Sequence, residues 1–169
     1  LPRVLDEVLE GEGALASLGR RLAKASDLFF LGRGLHVATA LEAALKFKEI
    51  TYRHAEGFGA AELKHGTFAL LSAETPCLFF LGRDDNYERV VANLVEVQSR
   101  GAPTFAVTQG GLEDVAHLVV EAVEVPATHP QLAGVPFLLV AQLLAYHAAV
   151  ALGRDVDMPR NLAKSVTVE

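Results

Sequence analysis

LFFLGRGLHVATALEAALKFKEITYR, residues 28–53, joins an apolar run to a glycine turn and then to a segment of helical periodicity. Leu28–Leu31 has no polar residue and is too short for a helix, so it reads as a strand buried on both faces. Gly32-Arg33-Gly34 follows at once. From Val37 to Arg53, stepping about 100° per residue, Glu42, Lys46, Glu49 and Arg53 fall within one sector of about 60°. Val37, Ala38, Leu41, Ala44 and Leu45 fill one side of the wheel and Ala40, Ala43, Phe47 and Ile50 another, with Lys48 the one interruption. The pattern predicts a helix buried all round except for a charged stripe, and a charged stripe on a buried helix implies a polar cleft.

Three further apolar runs, Cys77–Leu81, Thr104–Thr108 and Leu118–Val125, are separated by segments of helical spacing, and His54–Phe58 supplies a fifth, short strand at an edge. Helices are expected over Arg3–Ala25, Val37–Arg53, Tyr87–Arg100 and Leu132–Leu152, with a short turn near Leu112–Ala116. Gly101 and Gly153 stand where helix C-caps belong. The alternation predicts an α/β fold, a three-layer αβα sandwich around a five-stranded parallel sheet. In such a sheet ligands bind beyond the carboxyl ends of the strands, here the loops Gly32–Leu35, Gly82–Asn86 and Thr108–Gly111.

A chain of 169 residues, 51% of them hydrophobic, is long enough for one well-filled domain and too short for two ordinary ones. Fifteen Lys and Arg against 21 Asp and Glu, scattered rather than gathered into a stripe, argue against nucleic-acid binding. Cys77 is the single cysteine, which excludes an internal disulfide and offers no metal-ligand spacing, so a buried, inert thiol is expected. No secretory leader opens the chain, which points to the cytoplasm, and a start at Leu1 hints at a piece of a longer polypeptide. Leu132–Leu152 carries no Asp, Glu, Lys or Arg and is long enough to cross a bilayer, but Pro136, Gln142, Tyr146 and His147 favour a helix buried against the core or a second subunit.

Two chemistries fit the stripe. It is either a ladder of ion pairs, Glu42–Lys46, Lys46–Glu49 and Glu49–Arg53, or a site in which Glu49 is a base and Lys46 the cation that keeps it ionised. The amides of Gly32-Arg33-Gly34 and the following helix N-terminus could hold an anion, or the glycines could simply make a tight turn. Beyond Gly153 the tail RDVDMPRNLAKSVTVE is polar, yet Leu162, Ala163, Val166 and Val168 give it enough apolar character to dock. Lys164, among small apolar neighbours, could have its pKa lowered by burial, and a neutral amine can form a Schiff base with a carbonyl. His36, His117, His129 and His147 read as surface or satisfied core histidines.

The motifs FFLGRG (Phe29–Gly34), ALEAALKFKEITYRHAEGFGAAELKHG (Ala40–Gly66) and LLAYHAAVALGRDVDMPRNLAKSVTVE (Leu143–Glu169) resemble the sugar-isomerase (SIS) domain family, specifically the second SIS domain of the glutamine:fructose-6-phosphate amidotransferases. The resemblance implies a flavodoxin-like SIS fold over residues 1–152 and a tail, 153–169, that contributes to the active site. It implies catalytic roles for Glu49 as the proton-shuttling base, Lys46 and Glu42 as its companions, His65 as a ring-opening group given to a neighbouring subunit, and Lys164 as the Schiff-base lysine. Ala163, Gly32, Arg33 and Gly34 are implied substrate contacts. It further implies fructose 6-phosphate and glucosamine 6-phosphate as ligands, no cofactor or metal, a homodimer, and a first SIS domain and a glutaminase domain outside this chain. Thr67 and Leu35-His36 depart from the family pattern, without removing a reacting group. Two other functions remain open at this point, a phosphosugar-binding module without catalysis and a stand-alone phosphosugar isomerase or deaminase.

Overall fold

The computed structural model describes residues 1–162. Five strands, β1 (Asp27–Gly32), β2 (His54–Gly59), β3 (Cys77–Leu81), β4 (Thr104–Gln109) and β5 (Glu121–Val125), form one sheet in the order β2-β1-β3-β4-β5. Every pairing is parallel, with Phe29 opposite both Glu56 and Cys77 and Cys77 in turn opposite Thr104. The helices are α1 (Pro2–Glu10), α2 (Glu12–Leu22), α3 (His36–Thr51), α4 (Tyr87–Gln98), the single turn α5 (Leu112–Val115) and α6 (Gly134–Ala151). The chain leaves β1 for β2 in one direction and β3 for β4 in the other, and right-handed crossovers then put α3 and α4 on opposite faces.

Strand alternation divides the core between those faces. Leu28 and Phe30 of β1, with Leu78 and Phe80 of β3, point toward α1, α2, α3 and α6 and meet Leu18, Phe47, Phe137 and Leu144. Phe29 and Leu31, with Cys77, Phe79 and Leu81, point toward α4 and meet Tyr87, Val90, Leu94 and Val97. A run such as CLFFL has no polar face because both its faces are covered, as expected of central parallel strands. Burial pushes the Cys77 thiol up to about 12, so it stays protonated and inert, as the sequence implied.

The structure corrects three element readings. The expected helix over Arg3–Ala25 is two helices, because the chain turns at Gly11. The last strand is shorter than Leu118–Val125, since Ala116–Leu118 forms a 3-10 turn before β5 begins at Glu121. Helix α3 is not buried all round: Ala38, Leu41, Leu45 and Lys48 are open on the side away from β1, β2 and α6. The apolar span of Leu132–Leu152 is long and apolar enough to cross a membrane, and the structure places it as α6 with Phe137, Val140, Leu144 and Ala148 fully buried in the core.

Two glycines let α3 lie directly on the strands. A Cβ on Gly57 of β2 would stand 2.5 Å from Leu41 Cα and 2.6 Å from Ala40 O, and one on Gly32 would overlap the His36 carbonyl. Both obstacles are helix backbone, which cannot rotate away. Gly57→Ala is therefore expected to lower stability by about 1–3 kcal/mol or more, read as a lower urea midpoint, because α3 must lift off β2; an unchanged midpoint would mean that the contact is not tight.

Candidate active site

Glu49 lies in the last turn of α3, one helical turn beyond Lys46 and two beyond Glu42. Lys46 Nζ donates to Glu49 Oε2 at 2.7 Å and stands 3.8 Å from Glu42 Oε1. The hydrogen bond to Glu49 is the largest reason that the Lys46 pKa is raised, so this lysine is a fixed cation at neutral pH. Two rungs of the expected ladder form. The third does not: among the described residues Arg53 makes no ion pair with Glu49, and its Nε is buried without a hydrogen-bond partner.

Glu49 opens onto a hollow of about 550 Å³ lined by Leu45, Lys48, Tyr52, Arg53, His54 and the tail residues Arg160, Asn161 and Leu162. Tyr52 holds this arrangement together, and nothing in the sequence singled it out. It ends α3 in the left-handed conformation (φ 62°), which carries its ring across the helix terminus. Its hydroxyl accepts a hydrogen bond from the Arg160 amide at 2.9 Å, and the guanidinium groups of Arg154 and Arg160 lie 5.0 and 4.3 Å from its ring centroid. Only the folded tail reveals these partners, which are more than 100 residues away in sequence.

The tail therefore docks through residue 162 at the Glu49 hollow. Ala163 and Lys164 lie outside the described residues. His65, at the end of a 3-10 turn (Ala60–His65), is exposed; its nearest acid is Glu62 at 3.9 Å, and it does not line the Glu49 hollow.

Nor does the structure bring Gly32, Arg33 and Gly34 to Glu49. They precede the first turn of α3 and Glu49 occupies its last, and 13 residues from His36 at 1.5 Å each separate them by about 20 Å. The turn is occupied with its own packing. Arg33 O and Gly34 O accept from the His36 and Val37 amides, Arg33 Nη1 donates to Asn93 Oδ1, and Gly34 adopts φ +57° against Asn86. The other carboxyl-edge loops are similarly engaged: Arg83 pairs with Asp114 Oδ2 at 2.6 Å, donates to Gly110 O and covers the Tyr87 ring. The polar hollow beside Glu49 is at the opposite edge of the sheet, where β2 begins.

Of the four histidines read as surface or satisfied core, three conform. His117 and His129 are exposed and His147 bonds Glu12 at 2.8 Å. His36 departs from that reading. It is 3% exposed, packs edge-on to Phe137 and against Gly82, and among the described residues neither ring nitrogen has a hydrogen-bond partner, with Asp84 Oδ2 no nearer than 3.9 Å. Desolvation lowers its pKa below the ordinary 6.5 and the Asp84 carboxylate only partly opposes this.

The family profile of the SIS domain matches residues 21–152, and the chain belongs to that family. It is 45% identical over its whole length to the glutamine–fructose-6-phosphate aminotransferase [isomerizing] of Thermus thermophilus, and 45% identical over 99% of its length to that of Caulobacter vibrioides. It spans 28% of the length of each of these relatives. Among solved structures, the C-terminal domain of glucosamine-fructose-6-phosphate aminotransferase from Francisella tularensis superposes with a TM-score of 0.84 at 32% identity, covering 92% of this chain and 44% of that one. The chain is thus similar to a SIS domain within a larger aminotransferase, as its motifs suggested.

Two measurements probe these contacts. Tyr52→Ala removes two cation–π contacts and a hydrogen bond, each worth about 1 kcal/mol, and is expected to speed tryptic cleavage after Arg154 and Arg160 by roughly tenfold or more; an unchanged cleavage rate would mean that Tyr52 does not hold the tail. Because the unfolded chain takes up a proton that folded His36 refuses, stability is expected to fall as pH drops below 6.5, the ordinary histidine value. Urea midpoints across that range should show a shallower slope for His36→Gln than for the parent.

Proposed function

We propose that this chain is the sugar-isomerase part of a glutamine:fructose-6-phosphate amidotransferase, with Glu49 as its proton-transfer base. The observation that carries the reading is the half-buried Glu49 carboxylate, gripped by Lys46 and opening onto the hollow where the tail docks. Fructose 6-phosphate, opened to its chain form, presents a C2 carbonyl. Lys164 condenses with that carbonyl, releasing water and forming an imine; ammonia adds to the imine carbon and displaces the lysine amine, and Glu49 then moves a proton from C1 to C2, so that C1 becomes the aldehyde and C2 keeps the amino group of glucosamine 6-phosphate. Lys46 orients the carboxylate, and Glu42, 3.8 Å beyond it, holds Lys46 from the other side.

The remaining assignments follow from the same reading. His65 assists ring opening in a neighbouring subunit's site, which agrees with its exposure and its absence from the Glu49 hollow. Ala163 contacts substrate beside Lys164, and Gly32, Arg33 and Gly34 act at the far end of α3, contacting substrate only across an interface with another domain or subunit. The protein is cytoplasmic and works as a homodimer joined to a first SIS domain and a glutaminase domain. The exposed apolar side chains Leu41 and Leu45 of α3 and Val135, Tyr146 and Val150 of α6 are the surface such packing would cover. A module that only bound phosphosugar would have no use for a carboxylate–lysine pair at a hollow closed by the tail.

Borohydride reduction of the chain with fructose 6-phosphate, alone and with the other domains supplied, followed by intact-mass measurement, tests this reading. A sugar-phosphate adduct absent in Lys164→Ala is expected, together with a fall in turnover of about 10²–10⁴-fold for Glu49→Gln in the assembled enzyme. Turnover unaffected by Glu49→Gln, or an adduct that survives Lys164→Ala, would overturn it.

A further inference from the structure

A second hollow, of about 420 Å³, lies at the amino-terminal edge of the sheet, where the chain enters β1, β2, β3 and β4. Its volume is in the range of small-molecule sites, about 300–1,000 Å³. Three cations border it, Arg21 from the end of α2, Lys24 from the turn that follows and Arg53 from the connection between α3 and β2, with Ser26 beside them. Leu22, Pro76, Pro103 and Phe105 make the apolar wall.

The charges at this place run against those of the molecule. The chain carries 15 Lys and Arg against 21 Asp and Glu, yet here three cations surround one lining acid, the exposed Glu74. Glu121, 3.6 Å from Arg21, offsets part of that charge, whereas Asp27 bonds His54 and neither Lys24 nor Arg53 makes an ion pair among the described residues. Arg53 decides the matter. It is the stripe residue whose expected partner, Glu49, is held by Lys46, so its guanidinium has no carboxylate partner among the described residues. A guanidinium bordering a hollow without a carboxylate partner suits a phosphate oxygen through its fork geometry.

We propose that this hollow binds the phosphate or diphosphate group of a small phosphorylated molecule, with Arg53, Lys24 and Arg21 of its lining donating to the phosphate and the body of the ligand against Phe105 and the two prolines. The site is separate from the sugar chemistry at Glu49, but Arg53 lines both hollows, so an anion held here would fix the residue that also borders Glu49.

Titration calorimetry of the 169-residue chain with inorganic pyrophosphate at low ionic strength tests the proposal. Binding is expected to weaken about tenfold or more in Arg53→Met and in Lys24→Ala, to weaken further with added salt, and to be unchanged in Glu49→Gln. Lys24 is exposed, so its variant reports on binding even if Arg53→Met unfolds. No binding, equal affinity in Lys24→Ala, or loss of binding in Glu49→Gln would overturn the proposal, and none of these outcomes bears on whether Glu49 moves a proton.

Discussion

The close seating of α3 on β1 and β2 is the constraint from which the rest of the molecule follows. Because Gly32 and Gly57 put no side chain between helix and strand, the helix backbone touches the sheet, and its height and rotation are set by backbone contact rather than by adjustable side chains. Ala40, Ala43, Ala44 and Phe47 then face the strands and α6, fully buried. With the rotation fixed, the remaining positions have no choice of surroundings. Leu41 and Leu45 are turned outward, and Glu42, Lys46 and Glu49 line up on one flank.

That rotation also fixes what happens at the helix end. Tyr52 closes α3 in a left-handed conformation that an L-residue adopts only at a cost, and the tail contacts offset it. One aromatic ring thereby ties residues 154–160 to the helix that carries Glu49. The carboxylate, its lysine and the docked tail meet at the amino-terminal edge of the sheet. The carboxyl-edge loops, where a doubly wound sheet ordinarily places its ligand, are filled instead by Arg33, Arg83 and the buried ring of His36. This inversion accords with the proposed function, in which the domain supplies reacting groups to a site completed by other domains.

Charge is distributed with similar economy. Each acid in the stripe finds Lys46, and Arg53, one turn further along, has no acid partner among the described residues. Had Glu49 paired with Arg53 instead, the hollow at the strand entrances would lack the guanidinium that gives it an anion's chemistry. The geometry of one helical turn thus separates a carboxylate–lysine pair from a basic hollow only a few residues away.

Much of the architecture was legible in the residues themselves. Runs such as LFFL and CLFFL are apolar at every position because both faces of a central parallel strand are covered, and α3 carries its charges at helical spacing because a helix brings such positions together. The same local rules located Glu49, Lys46 and Glu42 on one stripe. They could not tell which apolar side of α3 is covered, since Leu41 and Phe47 are equally hydrophobic and only the glycine contacts choose between them. Nor could they find Tyr52's partners in a distant tail, or foresee that His36 would be buried without a partner among the described residues and Arg53 left without Glu49. Periodicity is a property of neighbours along the chain and is written in the sequence; which groups share a hollow depends on contacts between segments far apart, and those exist only once the sheet and helices have packed.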